Sequence, residues 1–270
     1  MTLSWPRPWS AARVAAAGGT WMLLFDFDGT LSPTVPQPDL ARLPDRMRRV
    51  LTGLVGMPAC RVGVVSGRGI DDLRHRADVP GLLLAGSGGL EWEIDGVRGA
   101  VPEAAAGMKT VAAVAASLAG RLARVPGVWL ECKPLGLTVH HRGADGESVA
   151  TVRGLAAELQ AVHGADLRVV ACALGVEITP CPPHHKGSAV RMLLAALGAE
   201  PMQVVYAGND ANDAEAMAEV ARRGGWTLAV GPDAPPADQR LDSPEALAAW
   251  LEALAATLRC RSTPALGRSV

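Results

Sequence analysis

Four short apolar runs, at residues 21–25, 61–65, 203–207 and 226–230, each stop abruptly in polar or glycine-rich residues. The stops are Asp26-Phe27-Asp28, Ser66-Gly67-Arg68, Gly208-Asn209-Asp210 and Gly231-Pro232. A brief run that is apolar at nearly every position suits a strand buried on both faces, as in a parallel sheet. Between the runs, apolar positions recur with helical spacing over residues 44–54, 71–77, 186–197, 213–223 and 243–258. The last of these opens Ser-Pro-Glu, an N-cap serine with proline at the first helical position. Strand and helix in alternation predict an α/β fold: a Rossmann-like, doubly wound parallel-sheet core. In such sheets ligands bind outside the carboxyl ends of the strands, where the four polar stops would lie.

The middle of the chain departs from this rhythm. A hairpin turning at Asp95-Gly96 precedes an alanine-rich helix over about 102–124; strands follow at 128–133, 137–142, 167–173 and 176–179, with a helix over about 147–163. Strands grouped in this way predict an α+β cap domain inserted into the core. The expected division is 1–96 and 182–270 for the core and 97–181 for the cap. Pro180, Pro182 and Pro183 would make a stiff hinge, and residues 260–270 a frayed tail.

Composition narrows the function. The chain has 270 residues, 26 Lys+Arg against 27 Asp+Glu and a formal net charge of -1. That balance lacks the basic excess of a nucleic-acid binder, so an anionic ligand would need a local site. Mean hydropathy is +0.18, raised by alanine, yet no run reaches the ~20 apolar residues of a spanning helix. The first residues, interrupted by Gly18, Gly19 and Thr20, do not read as a signal peptide, and no membrane association is expected. Cys60, Cys132, Cys172, Cys181 and Cys260 form no C-x-x-C pair and suit a reducing, cytoplasmic setting.

Candidate chemistry centres on Asp26-Phe27-Asp28-Gly29-Thr30. Residues two apart on a strand share a side, and a turn at Gly29 would let both carboxylates converge. Such a pair can hold a hard cation through oxygen and still present a nucleophilic oxygen.

The segment LFDFDGTLSP resembles the first motif of the haloacid dehalogenase superfamily, whose phosphatases form an aspartyl-phosphate. The resemblance implies that Asp26 is the nucleophile and Asp28 the acid/base, with Mg2+ held at Asp26 and at the carbonyl of Asp28. Ser66, at the end of RVGVVSGR, matches the second motif, so Ser66 and Gly67 would contact the phosphoryl group. Lys186 in HHKGSAVRMLL matches the third and would neutralise the phosphoryl oxygens. A lysine opening a helix opposes the helix dipole, which favours a chemical role over a structural one.

The fourth motif, Gly208-Asn209-Asp210-Ala211-Asn212-Asp213, departs from the pattern of trehalose-6-phosphate phosphatases, the family of closest resemblance, in having Asn209 where that family has an aspartate. An amide oxygen can ligate Mg2+, but as a dipole where the family supplies a charge. Weaker metal binding, or help from Asp210, is therefore expected, with Asp213 orienting Lys186 or the metal waters. Within the inserted module, Glu131-Cys132-Lys133, His140-His141-Arg142 and Glu177-Ile178-Thr179-Pro180 are similar to that family's cap motifs. They imply that Glu131, Lys133, His140, Arg142 and Glu177 hold a phosphorylated disaccharide, most specifically trehalose 6-phosphate, with a monomer expected. Gly88 and His141 replace a histidine and a tyrosine of the family pattern. These departures keep open another glycosyl phosphate, such as glucosylglycerol phosphate or a pseudo-disaccharide phosphate, and a non-catalytic sugar-phosphate sensor.

Overall fold

The computed structural model describes residues 19–101, 104–133, 136–181, 184–198 and 202–262. Its larger sheet contains β1 (Thr20–Phe25), β2 (Cys60–Val65), β3 (Leu83–Gly86), β4 (Glu91–Ile94) and β5 (Val97–Ala100), joined from the far end of the chain by β10 (Met202–Gly208), β11 (Trp226–Val230) and β12 (Gln239–Leu241). The order is β12-β11-β10-β1-β2-β3-β4-β5, parallel throughout except for antiparallel β4 and β5. From β1 the chain moves outward through β2 and β3, then returns to β1's other side as β10. The strand order reverses there, between β1 and β10, which opens the crevice in which open α/β sheets bind ligands.

Alternation along β1 explains the layers. Trp21, Leu23 and Phe25 face one side, packing with α1 (Asp45–Val55), α2 (Ile70–Ala77) and α7 (Pro244–Ser262). Met22 and Leu24 face the other, against α5 (Lys186–Ala196) and α6 (Ala214–Arg222). Both faces of β1 are thus covered, and all five residues are fully buried. Trp21 also stacks on Trp226 at 5.3 Å between ring centroids.

The inserted module holds α3 (Ala104–Leu122), β6 (Trp129–Lys133), β7 (Gly136–His140), α4 (Gly146–His163), β8 (Leu167–Cys172) and β9 (Gly175–Pro180). Its antiparallel sheet, ordered β6-β7-β9-β8, turns Leu137, Val139, Val176 and Ile178 toward Val111, Val114 and Leu118 of α3 and Val152 and Leu155 of α4. Period-two alternation leaves the opposite face to Glu131, Lys133, His140 and Glu177.

Several elements correct the expectation. Val97–Ala100 was assigned to the cap, but it pairs with β4 in the larger sheet, because the tight Asp95-Gly96 turn closes a hairpin there. β3 and the three-residue β12 were not anticipated; they are too short to carry a period. α7 continues to Ser262, so residues 260–262 are helical, and the remaining tail lies outside the described residues. Pro180 ends β9 itself, while Pro182, Pro183 and residues 1–18 lie outside the described residues. No helix among the described residues is long and apolar enough to cross a membrane.

Candidate active site

The loops following β1, β2 and β10 meet with the start of α5 at the floor of a cleft of about 550 Å³. Asp26, Asp28, Ser66, Gly67, Lys186, Asn209 and Asp210 line the floor, and Glu131, Lys133, His140, Arg142 and Glu177 line it from the cap. The fold gathers these distant segments at one sheet edge.

Lys186 is the electrostatic centre. Its Nζ donates to Asp26 Oδ1 at 2.6 Å, Asp213 Oδ1 at 2.7 Å and Asn212 Oδ1 at 2.9 Å, so all three ammonium protons are placed. The residue opens α5 behind a histidine cap: His185 Nδ1 accepts from Gly187 N–H and Ser188 completes a capping box. Burial pulls the ammonium toward neutrality, but Asp213 and Asp26 hold it well above its ordinary range. Asp213 is fully buried and saturated, accepting also from Tyr206 OH at 2.7 Å and from the N–H groups of Asn209 and Asp210. One lysine charge therefore serves two buried carboxylates, of which Asp213 has other donors. Asp26 is the less compensated: burial pushes it up, to about 8, against the pull of Lys186.

The other Asp26 oxygen belongs to a second cluster. With its amide nitrogen turned inward, Asn209 donates to the carbonyl of Asp28 at 2.8 Å, to Asp26 Oδ2 at 3.1 Å and to Thr30 Oγ1 at 3.2 Å. With its oxygen inward, the amide joins Asp26 Oδ2 and the Asp28 carbonyl in an all-oxygen set. Separations near 3 Å are those of adjacent ligands in an octahedral shell of radius ~2.1 Å, the geometry of Mg2+. The residues thus fit the cation that the motif implies, with one carboxylate, one carbonyl and one amide; no group of three or more His, Cys, Asp or Glu that could hold a metal occurs among the described residues. Gly29 makes room for this cluster. Its φ is +82°, and a Cβ there would lie 2.2 Å from the Asn209 amide. Gly29→Ala is expected to cost ~2–3 kcal/mol of stability and to weaken cation binding, checked by denaturant unfolding and by Mg2+ titration calorimetry.

Asp210, expected beside the metal, is placed otherwise. Its carboxylate accepts from Ala211 N–H at 2.6 Å and from Ala173 N–H, at the β8–β9 turn of the cap, at 3.2 Å. As N-cap of a 3-10 turn it ties the core loop to the cap, and that backbone role competes with metal ligation. Two further contacts reinforce the tie: Arg168 pairs with Glu215, and Asn212 Nδ2 donates to Cys172 Sγ at 3.6 Å.

Arg68 was missed in the sequence. Its guanidinium grips Asp28 with both arms, Nε to Oδ2 at 2.6 Å and Nη2 to Oδ1 at 2.8 Å, and Nη1 holds Asp72 at 2.6 Å. The available signal was its position after Ser66-Gly67, at the same strand end, but nothing local pairs residues forty apart. Ser66 is buried, accepts from Arg68 N–H at 3.2 Å, and donates its own proton to no protein acceptor among the described residues. From the cap, Arg142 carries a buried Nη1 with no hydrogen-bond partner. Glu131 Oε2 accepts from His140 Nε2 at 2.8 Å when that ring nitrogen carries its proton, and Lys133 lies 3.5 Å from Glu177. Glu177 reaches the core: a Cβ on Gly67 would stand 2.3 Å from its Oε1. Burial pushes the Glu131 and Glu177 carboxyls up, but His140 and Lys133 for Glu131, and Lys133 and Lys186 for Glu177, leave both below the ordinary range. Both acids are therefore ionised acceptors at neutral pH.

Known proteins resemble this chain in fold and in sequence. The C-terminal domain of the Candida albicans trehalose-6-phosphate phosphatase superposes with a TM-score of 0.80, covering 93% of this chain and 99% of that domain at 22% identity, a likeness of fold. A haloacid dehalogenase-like hydrolase from Bacillus subtilis superposes with a TM-score of 0.64, covering 86% of this chain and 99% of its own at 13% identity. In sequence, a trehalose-phosphate phosphatase of Mycobacterium avium is 36% identical over 253 residues, 88% of this chain and 63% of that protein, so the present chain spans less than two thirds of the relative's length. A profile of the trehalose-phosphatase family matches residues 24–235, which include the oxygen cluster, the lysine and the polar face of the cap. With residues 24–235 matched, well over half of the chain, the protein belongs to the trehalose-phosphatase family.

Proposed function

We propose that the chain is a Mg2+-dependent phosphatase that hydrolyses trehalose 6-phosphate to trehalose and phosphate through an aspartyl-phosphate. The observation that carries this reading is Asp26, buried with one oxygen on Lys186 and the other in the oxygen cluster, beneath a cap face of sugar-binding character. Asp26, the Asp28 carbonyl and Asn209 would hold the cation, which when bound offsets phosphoryl charge and supplies the electrostatic stabilisation on which phosphoryl transfer mainly depends.

The chain's own groups carry the rest. An Asp26 carboxylate oxygen attacks phosphorus in line with the departing sugar oxygen, forming the acyl phosphate as the P–O bond to the sugar breaks. Asp28 delivers a proton to that oxygen, then removes one from the water that hydrolyses the acyl phosphate. Because both Asp28 oxygens accept from Arg68, Arg68 must release one for each transfer. Ser66 donates its free proton to a phosphoryl oxygen, and Lys186 balances the charge accumulating there. In the cap, Glu131 and Glu177 accept from sugar hydroxyls, while Lys133 and Arg142 donate to hydroxyl or phosphate. The cleft is large enough for a disaccharide phosphate, the range for small-molecule sites being roughly 300–1,000 Å³.

Phosphate release measured over trehalose 6-phosphate, glucosylglycerol phosphate and glucose 6-phosphate, with Mg2+ and with chelator, tests the reading. A preference of about tenfold or more for trehalose 6-phosphate, lost on chelation, is expected. A smaller preference reassigns the sugar, and no release from any of them turns the reading toward a binding protein.

A further inference from the structure

Trp129 is the only Phe, Trp or Tyr between residues 101 and 181. Aromatic rings are the largest contributors of buried apolar area, yet among the described residues the cap core is built from aliphatic side chains and its one tryptophan stands outside it, with 39% of its surface exposed. It stands on β6, at the edge of the cap sheet. Trp129, Glu131 and Lys133 alternate onto one face, and the latter two line the cleft. Trp129 is also the cross-strand partner of His140, on which it stacks at 3.8 Å between centroids and 16° between planes. His140 in turn is fixed by Glu131 at 2.8 Å and lines the cleft. The result is a rigid aromatic wall, continued by ionised hydroxyl acceptors, at the edge strand of the cap sheet.

We propose that Trp129 is a specificity-determining residue, its ring and that of His140 forming the wall that receives the second pyranose ring of the substrate, the one without the phosphate. This deepens the trehalose 6-phosphate reading and rests on it. A pyranose presents patches of C–H groups on its faces and hydroxyls around its rim, so a flat aromatic beside carboxylates matches it, as apolar and polar groups do in small-molecule sites generally. The spacing agrees: residues two apart on a strand are separated by ~6.7 Å, so Lys133 to Trp129 spans ~13 Å, room for two linked rings where one would leave Trp129 bare.

Steady-state kinetics of wild type, Trp129→Ala, Trp129→Leu and Trp129→Phe on trehalose 6-phosphate and glucose 6-phosphate test this. In Trp129→Ala and Trp129→Leu the KM for trehalose 6-phosphate should rise about tenfold with kcat little changed, and the loss on glucose 6-phosphate should be at least about fivefold smaller. Trp129→Phe, which keeps a flat ring, should recover most of the difference. Equal losses on both substrates would make Trp129 a packing partner of His140 and overturn the inference, as would no loss on either. If wild type itself does not prefer the disaccharide phosphate, the substrate reading fails, and the inference falls with it for that separate reason.

Discussion

Asp26→Asn is expected to abolish phosphate release, by about 10⁴-fold or more, while trehalose 6-phosphate still binds. The substitution keeps shape and burial but replaces the carboxylate that lines the cleft floor and accepts from Lys186 with an amide, which is no nucleophile. Single-turnover assays with labelled substrate give the sharper measurement: wild type should pass through an acid-precipitable, phosphate-labelled protein, and Asp26→Asn should not. Residual turnover above about 1% would place the nucleophile elsewhere. A pH signature accompanies the change. Burial raises the folded-state Asp26 carboxyl to about 8, so the folded chain binds its proton more tightly than the unfolded chain. Without cation, this group's contribution to wild-type stability should fall as pH rises from about 4 toward about 8, and the Asn variant should lose that slope.

Lys186→Met should damage both stability and catalysis. Removing the ammonium leaves Asp26 and Asp213 facing each other in a site where both are buried, and breaking one partner out of a buried ion pair costs about 3–5 kcal/mol. Turnover should drop by about 10³-fold, because the developing charge loses its nearest fixed cation. Urea unfolding and phosphate release would measure the two effects. A double variant, Lys186→Met with Asp213→Asn, should regain much of the stability and none of the activity, separating charge burial from chemistry. If it regained activity as well, Lys186 would be only a counter-ion to Asp213.

What the sequence revealed and what it hid divide along physical lines. β1 and its Asp26-Phe27-Asp28 end were legible because a doubly buried strand is apolar at each position and stops where the chain meets solvent. Most helices read from period, one from its alanine richness, while the polar residues of the cap were legible through the family motifs they resemble. Arg68 with Asp28 was not legible: that pair is made by β1 lying beside β2, a relation of space. Asp210 misled for a related reason. Its position in the motif suits a metal ligand, but its direction is set by the N–H of Ala173, thirty-seven residues away and in the other domain. β5 was misassigned because the domain boundary was drawn at the Asp95-Gly96 turn, whose two flanking strands pair with each other in the larger sheet.

That contact between Asp210 and the β8–β9 turn bears on how such proteins could be re-engineered. An inserted module entered after β5 and left before α5 looks ready for exchange, with a new recognition head grafted onto an unchanged hydrolytic base. The joints, however, are not the only seams: Asp210 depends on the head for a donor, as Glu215 does for a guanidinium. A graft that ignores them would strand two acids at the boundary and loosen the loop bearing Asn209, so a successful chimera must transplant the turn geometry of residues 172–175 and a cation at position 168 together.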